Sequence, residues 1–171
     1  MSLAWSEWAF VALGSNLGSS IENIRRAMTA LSEFSTQIVL KSSLWRTTPV
    51  DCPSGSGDFI NAVAAISPAF VETPESLLFK LQRLEKHFGR APKLVINEAR
   101  PLDIDLLTFR DEVRQTPELT IPHPRAHLRR FVLAPLAEIA PDLILTGQKE
   151  SVRDLLTSLE SASSEIVEKI R

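Results

Sequence analysis

The hydrophobic positions of this chain follow two spacings, and each spacing predicts one kind of element. Alternation or a short apolar run is typical of strands, whereas apolar residues at three- and four-residue intervals are typical of amphipathic helices. Four runs indicate strands: WAFVALG, TQIVLKSSLW, FINAVAAIS and LDIDLLTF. Two apolar stripes indicate helices, one formed by Ile21, Ile24, Ala27, Met28 and Leu31, the other by Leu77, Leu78, Leu81, Leu84 and Phe88.

Residues at the ends of these helices predict where each one begins and stops. Ser20 is predicted to cap the first helix, which ends near Phe34. Thr73 is predicted to cap the second, with Pro74 at its first helical position and Gly89 at its C-terminal cap. Further helices are expected within 119–141 and over 151–159, whereas 46–58 and 90–100 are expected to be irregular.

The order of these elements predicts an α+β fold. β-α-β-β-α-β, followed by extra C-terminal helices, is the split βαβ arrangement, in which two helices cover one face of an antiparallel sheet. A chain of 171 residues is expected to form one domain, residues 1–171, with its own hydrophobic core. Because this arrangement serves many unrelated activities, function has to be argued from particular side chains.

The overall charge bears on the class of partner. A formal net charge of -2 gives no general attraction to nucleic acid or to an anionic membrane, so neither is expected as a partner. The apolar stretch from Trp8 to Leu13 is too short to cross a bilayer. The single cysteine, Cys52, cannot form an internal disulfide, which favours a reducing compartment. We therefore expect a cytoplasmic protein, and we take a monomer as the expected state.

Two acidic residues interrupt the last predicted strand. Asp103 and Asp105 are two positions apart, so they project from the same face while Ile104 and Leu106 point the other way. Two neighbouring carboxylates repel each other unless a cation lies between them, and such hard oxygen ligands suit Mg²⁺, including a two-metal arrangement that clamps phosphates. The alternative is a solvated strand face that carries two acidic residues.

Basic residues surround this acidic pair in the sequence. Arg90, Lys93 and Arg100 precede the strand, and a second group follows His123: Arg125, Arg129 and Arg130. Guanidinium groups bind phosphate oxygens in a bidentate fork, so these residues could hold a metal-bridged polyphosphate; the alternative is ordinary surface arginine, which we expect for Arg130. His123 lies between two prolines, where it could donate to a phosphate or serve as a structural hydrogen bonder.

A third group could bind a flat heterocycle. Phe59 and Asn61 share one face of their strand and could supply an aromatic stack and an amide. Phe131 could be the opposing ring or could simply pack in its helix. Spacing alone favours an exposed helix position for Glu85. The segment GSNLG lacks the lysine and the glycine spacing of a phosphate-binding loop, so a turn is expected there.

Six motifs together resemble one enzyme family. ALGSNLG, FINAV, LQRLEKHFGR, ARPLDIDLL, IPHPR and RRFVLAPLAEIAP occur in the order and spacing of the 6-hydroxymethyl-7,8-dihydropterin pyrophosphokinases. The resemblance covers about Phe10 to Asp142, and its most specific element is the R-x-x-D-x-D core from Arg100 to Asp105.

This resemblance implies a ferredoxin-like α+β domain that transfers pyrophosphate from ATP to the hydroxymethyl group of a reduced pterin and releases AMP. ATP and the pterin would be its small-molecule partners, with ATP as co-substrate and two Mg²⁺ ions held by Asp103 and Asp105. Arg90 and Arg100 would belong to a mobile loop over the triphosphate, and His123 and Arg129 would contact phosphates. The nucleotide site would include Gln82, Glu85, Leu106 and Thr120. The pterin would be bound by Thr47, Val50 and Asn61 and held between Phe59 and Phe131.

One departure from the family pattern lies in the predicted mobile loop. Asn97-Glu98-Ala99 occupies the place where the family usually has Trp-Gly-Pro, so an aromatic residue is missing and an acidic one is introduced. We expect weaker nucleotide affinity or slower turnover as a result. Two alternatives remain at this stage: a paralogue that binds pterin or nucleotide without transfer, and an RNA-binding module on the same fold, which would show exposed sheet aromatics.

Overall fold

The computed structural model describes residues 4–49, 54–91, 98–162 and 165–170. In these ranges the strands are β1 (Ala9–Ser15), β2 (Leu40–Lys41), β3 (Trp45–Thr47), β4 (Phe59–Ile66), β5 (Asp103–Phe109), β6 (Arg114–Gln115), β7 (Thr120–Ile121) and β8 (Val167–Lys169). The main sheet has the order β5-β1-β4-β3-β8, with β2 also paired to β4, and all its pairings are antiparallel. β6 and β7 form a separate ladder.

Helices cover both faces of the main sheet. The helices are α1 (Ser20–Ala30), α2 (Pro74–His87), α3 (Arg130–Ile139) and α4 (Val152–Glu160), with 3₁₀ turns at Trp5–Glu7, Leu31–Phe34 and Ala126–Leu128. α1 and α2 pack on one face through Ile24, Leu77 and Leu81. α3 and α4 pack on the other face through Leu133 and Leu155. This covering disfavours an RNA-binding module, which stacks bases on exposed aromatics of the sheet.

Strand β5 separates core residues from candidate site residues as its alternation predicts. Ile104 and Leu106 are buried in the core beneath α1 and α2. Asp103 and Asp105 project from the opposite face into a cavity. The pairing of β5 with β1 shifts register between Phe10 and Val11. This shift lies on the C-terminal side of Asp103 and Asp105 in β5, so the alternation of side chains at the two aspartates is undisturbed.

The second helix confirms its predicted start, whereas its C-terminal cap is Phe88, one residue before the predicted Gly89. The Oγ1 of Thr73 accepts a hydrogen bond from the backbone N–H of Ser76 at 3.2 Å, and Pro74 opens the helix. Gly89 has φ +86°, a left-handed conformation that glycine adopts without the steric cost of a Cβ. The prediction for the first helix was wrong by one residue, because its N-cap is Ser19, whose side chain makes no capping hydrogen bond.

The predicted strand over 36–45 is divided into two short strands. Ser42 interrupts it, because its backbone N–H donates to the carbonyl of Val63 at 2.9 Å while its Oγ accepts from the Val63 N–H at 2.9 Å. A side chain thus replaces one backbone acceptor of the ladder. The second part, β3, extends to Thr47, so the irregular segment begins later than predicted. β8 was not predicted at all. Of the helices that the structure describes, none combines the length and the apolarity that a membrane span requires.

Candidate active site

A cavity of about 270 Å³ lies on the α3 face, at the end of the sheet where β1 stops and β4 begins. Its walls come from four strands, from the segment before α3 and from the chain before β8. The lining side chains include Thr47, Thr48, Phe59, Asn61, Arg100, Asp103, Asp105, Arg125, Arg129, Phe131 and Glu165. The cavity therefore joins the acidic pair, three arginines and two aromatic rings that the sequence places far apart.

Arginines hold the first aspartate of the pair. The Nη1 of Arg90 donates to Oδ1 of Asp103 at 2.5 Å, and the Nη2 of Arg100 lies 2.8 Å from Oδ2 of the same side chain. Arg90 and Arg100 flank the predicted loop, most of which, 92–97, lies outside the described residues. The Arg100 guanidinium also stacks on the ring of Phe59, 5.6 Å from its centroid. Both ends of this loop are therefore attached to Asp103.

The second aspartate lies among several charged groups. Burial raises the pKa of the Asp105 carboxyl, the charge of Asp103 raises it further, and His123, Arg129 and Arg100 act in the opposite direction. Burial likewise lowers the pKa of His123, together with the positive charges of Arg129 and Arg125, while Asp105 opposes them. A lowered pKa favours the neutral imidazole near pH 7. The His123 backbone N–H donates to the carbonyl of Leu107 at 2.8 Å and so attaches this loop to β5.

Glu85 is buried against the outer edge of β5, although spacing alone favoured an exposed position. Its Oε1 accepts a hydrogen bond from the backbone N–H of Ile104 at 2.7 Å and pairs with the guanidinium of Arg90. Burial raises the pKa of Glu85 to about 7, and Asp103 and Asp105 contribute in the same direction, whereas the Ile104 N–H and Arg90 oppose the shift. Glu85 thus lies outside the cavity lining and is linked to Asp103 through Arg90.

The other end of the cavity is polar and aromatic. The Nδ2 of Asn61 donates to Oγ1 of Thr47 at 2.7 Å, so the two side chains fix each other's orientation. An ideal Cβ at Gly14 would lie 3.2 Å from Oδ1 of Asn61, which shows how closely the β1 backbone approaches the amide. The guanidinium of Arg129 lies 5.4 Å from the centroid of Phe131. A flat ring would find aromatic side chains and a fixed amide at this end.

Several predicted site residues lie outside this cavity. Gln82 and Thr120 are exposed on α2 and β7, and the side chain of Leu106 is buried in the core. Any contact of Leu106 with a nucleotide would therefore have to use its backbone. Val50 lies outside the described residues. The expectation that Arg130 is a solvated side chain was wrong, because it is partly buried and its Nη1 donates to the carbonyl of Glu165 at 2.5 Å.

Two polar side chains of the lining were not predicted from the sequence. Thr48 follows the strand that carries Thr47, and Glu165 precedes β8. The run from Ile166 to Ile170 contains three β-branched residues, Ile166, Val167 and Ile170, which is a weak strand signal. Nothing local in it, however, indicates which side of the molecule it joins.

The carboxylates of Asp103 and Asp105 fit divalent cations whose other ligands are the phosphates of a nucleotide. Among the residues described, no group of three or more His, Cys, Asp and Glu side chains is placed to hold a metal. Mg²⁺ at nucleotide sites, however, is commonly held by only one or two carboxylates, with phosphates and waters as its other ligands. Burial, and after it the charge of Asp103, raises the pKa of Asp105, and a bound cation would favour the ionised carboxylates instead. The pair therefore fits such an ion.

Comparisons with known proteins agree on one family. Residues 10–141 match 7,8-dihydro-6-hydroxymethylpterin-pyrophosphokinase (HPPK). The 2-amino-4-hydroxy-6-hydroxymethyldihydropteridine pyrophosphokinase of Haemophilus influenzae is 42% identical over 142 residues, 82% of this chain and 86% of that protein. The enzyme of the same name from Pseudomonas aeruginosa is 39% identical over 137 residues, 80% of this chain and 82% of that protein.

The fold is also found in solved structures of longer proteins. A wild-type Plasmodium falciparum HPPK-DHPS with pteroate aligns with a TM-score of 0.71 at 15% identity, over 90% of this chain and 44% of that chain. This chain thus spans less than half of that protein, and the likeness at this identity concerns the fold. The family match and the curated relatives together show that the chain belongs to the 7,8-dihydro-6-hydroxymethylpterin-pyrophosphokinase family and is a pyrophosphokinase of folate synthesis, which transfers pyrophosphate from ATP to the hydroxymethyldihydropterin.

Proposed function

We propose that the cavity on the α3 face is where this transfer takes place, with the acidic pair at the phosphate end and the aromatic and amide side chains at the pterin end. One observation carries the proposal: a single cavity is lined by Asp103, Asp105, Arg129 and the rings of Phe59 and Phe131. Carboxylates with arginines suit a metal-bound polyphosphate, and two rings with a fixed amide suit a flat heterocycle.

Asp103 and Asp105 would hold two Mg²⁺ ions in this proposal. When bound, these ions neutralise the phosphate charges and withdraw electron density from the β-phosphorus. The paired Arg90 and Arg100 keep Asp103 in one orientation, because each donates to a different oxygen of its carboxylate. Asp105 is placed by strand alternation and by the burial that surrounds it.

Positioning and electrostatics would carry the reaction. The hydroxymethyl oxygen of the pterin attacks the β-phosphorus of ATP and loses its proton to solvent, the bond to the oxygen bridging to the α-phosphate breaks, and AMP leaves with that oxygen. Arg100 and Arg129 would stabilise the charge on the transferred group, and the partly buried His123 would donate to a phosphate oxygen. No covalent intermediate with the chain is required, because both reactants lie in one cavity.

The remaining roles follow the family resemblance and the positions described above. Thr47, Val50 and Asn61 would bind the polar edge of the pterin. Gln82, Glu85, Leu106 and Thr120 would lie along the nucleotide, outside the cavity itself. Glu85 is the best supported of these four, since it contacts the backbone between the two aspartates.

Three further statements belong to the same proposal. The strand order β5-β1-β4-β3 and the two helices on one face support a ferredoxin-like core for this domain. A step that consumes ATP in folate synthesis supports a cytoplasmic location. A single chain supplies every side chain named above, which supports a monomer.

AMP release tests the proposal directly. The chain is mixed with ATP, Mg²⁺ and 6-hydroxymethyl-7,8-dihydropterin, and AMP is measured for the parent, Asp103→Asn, Asp105→Asn and, as a control, the exposed Asp111→Asn. We expect pterin-dependent AMP from the parent and the control, and a loss of at least about a hundredfold in either site variant. Equal rates in all four proteins would refute the metal assignment. Pterin binding without AMP release by the parent would indicate the non-transferring paralogue.

A further inference from the structure

The turn between β1 and α1 is bonded to the backbone of Arg100. The segment GSNLG, residues 14–18, ends β1 and begins this turn. The backbone N–H of Asn16 donates to the carbonyl of Arg100 at 3.1 Å, and the Oδ1 of Asn16 accepts from the backbone N–H of Arg100 at 2.9 Å. One residue of the turn therefore binds both backbone groups of Arg100.

A second asparagine extends this attachment by one residue. The Nδ2 of Asn23, in the first turn of α1, donates to the carbonyl of Pro101 at 3.1 Å. Beyond Pro101 the chain enters β5, where Asp103 pairs with Gly14 of β1. The backbone from Arg100 to Asp103 is therefore attached to β1 and to the turn after it at three points.

The side chain of Arg100 makes two contacts in the cavity, and both depend on where its backbone lies. Its Nη2 lies 2.8 Å from Oδ2 of Asp103, and its Cζ lies 5.6 Å from the centroid of the Phe59 ring. The side chain is only 16% exposed, so its neighbours and the position of its backbone together set its orientation. A shift of the Arg100 backbone would disturb both contacts at once.

The alternative for Asn16 is a role in the stability of its own turn. An asparagine in a turn commonly bonds to its own backbone two residues further on. Here the side-chain oxygen accepts instead from a residue 84 positions away, and Nδ2 is buried without a hydrogen-bond partner among the residues described. The side chain therefore acts on the segment that carries Arg100 rather than on the turn to which it belongs.

We propose that Asn16 is a positioning residue for the transfer, which fixes the backbone of Arg100 so that its guanidinium reaches Asp103. This inference rests on the proposed function, because it takes Arg100 to stabilise the transferred group. Asn16 is not one of the described residues that line the cavity, so it is expected to act only through Arg100. A displacement of a reacting or positioning group by about 1 Å can cost about a hundredfold in rate, so loss of the Asn16 oxygen should be measurable in turnover.

A double-mutant cycle tests whether Asn16 acts through Arg100. Pterin-dependent AMP release gives kcat/KM for ATP in the parent, Asn16→Ala, Arg100→Ala and the double variant. We expect Asn16→Ala to lose about tenfold or more, and the double variant to match Arg100→Ala within about twofold, because a residue that acts only through Arg100 has no effect once that side chain is gone. Losses that multiply in the double variant, or an unchanged kcat/KM in Asn16→Ala, would overturn the inference.

Two control variants separate positioning from a general loss of stability. Ser19→Ala changes an exposed residue of the same turn, whose side chain makes no capping hydrogen bond, and should match the parent. Thr73→Ala removes the capping hydrogen bond of α2, which covers the opposite face of the sheet, and should weaken the fold while kcat/KM stays constant. A loss of kcat/KM in Thr73→Ala as large as that in Asn16→Ala would attribute the loss to stability and would overturn the inference.

Amide hydrogen exchange measures the contact itself, without the reaction. By NMR, the Arg100 amide of the parent should exchange slowly, and Asn16→Ala should raise its exchange rate about tenfold or more while the amides of β4 stay protected. An Arg100 amide that exchanges freely in the parent would overturn the inference even if Asn16→Ala did not fold, and so would unchanged exchange in that variant. Failure of the parent to release AMP would instead refute the proposed function, while the exchange result would still stand.

Discussion

The carboxyl group of Glu85 should make the stability of this protein depend on pH, and the substitution Glu85→Gln isolates that effect. The side chain is 7% exposed, its Oε1 accepts the backbone N–H of Ile104, and Arg90 is its ion-pair partner. Glutamine has nearly the same shape and can still accept that N–H, but it carries no proton that titrates. A difference in pH dependence between parent and variant is therefore a measure of the Glu85 proton.

The size of the effect on the free energy of unfolding follows from the shift in the pKa of Glu85. Burial raises the pKa of Glu85 from 4.5 to about 7, and one unit is worth about 1.4 kcal/mol, so ionised Glu85 costs the folded chain about 3 kcal/mol. The folded chain holds the proton more tightly than the unfolded chain. The contribution of protonated Glu85 to stability is thus complete below pH 4.5 and is lost as the pH rises through about 7.

Urea unfolding in metal-free buffer at pH 5 and pH 8 measures this difference. Over that interval the parent should lose about 2 to 3 kcal/mol more free energy of unfolding than Glu85→Gln. Glu22→Gln, on the exposed surface of α1, controls for the change in net charge and should follow the parent. Parallel pH dependence in the parent and in Glu85→Gln would refute the reasoning, because it would mean that the carboxylate is not desolvated.

Three other substitutions test separate parts of the structure. Gly14→Ala would place a Cβ 3.2 Å from Oδ1 of Asn61, so the KM for the pterin should rise several-fold in the AMP assay while the KM for ATP stays constant; equal changes in both would contradict this. Glu138→Gln removes the ion pair to Lys169 and should lower the free energy of unfolding in urea by about 1 kcal/mol, whereas an unchanged midpoint would show that the pair contributes nothing. Leu81→Ala empties a fully buried position and should cost about 2 to 5 kcal/mol in the same measurement; a smaller loss would mean that the core closes over the space.

Much of the helical framework could be predicted because its signals are local. The apolar stripe of α2, its cap at Thr73 and its stop at Gly89 all lie within one stretch of sequence. The division between β2 and β3 could not be predicted, since it depends on Ser42 meeting Val63 across the sheet. β8 depends on a partner still further away, because Val167 pairs with Thr47. Which face α3 and α4 cover is likewise decided by tertiary packing.

The residues of the candidate site likewise include some that a local pattern predicts and some that depend on long-range pairing. Strand alternation predicted that Asp103 and Asp105 share a face, and the structure places both in the cavity. It also predicted a common face for Phe59 and Asn61. Glu165 was missed, because its short segment reveals nothing of its position until β8 joins the sheet. A residue that reaches a site through long-range pairing leaves no local signal.

The outer edge of β5 explains how one strand can carry both core and site residues. An edge strand has backbone groups that no neighbouring strand satisfies, and here two of them bond to other parts of the site. The Ile104 N–H donates to Glu85, and the Leu107 carbonyl accepts from the backbone of His123. These bonds fix the register of β5 from its outer side, while β1 fixes it from the inner side. Since a slip of one residue would exchange the aspartates with Ile104 and Leu106, the same bonds that hold the edge keep the carboxylates in the cavity.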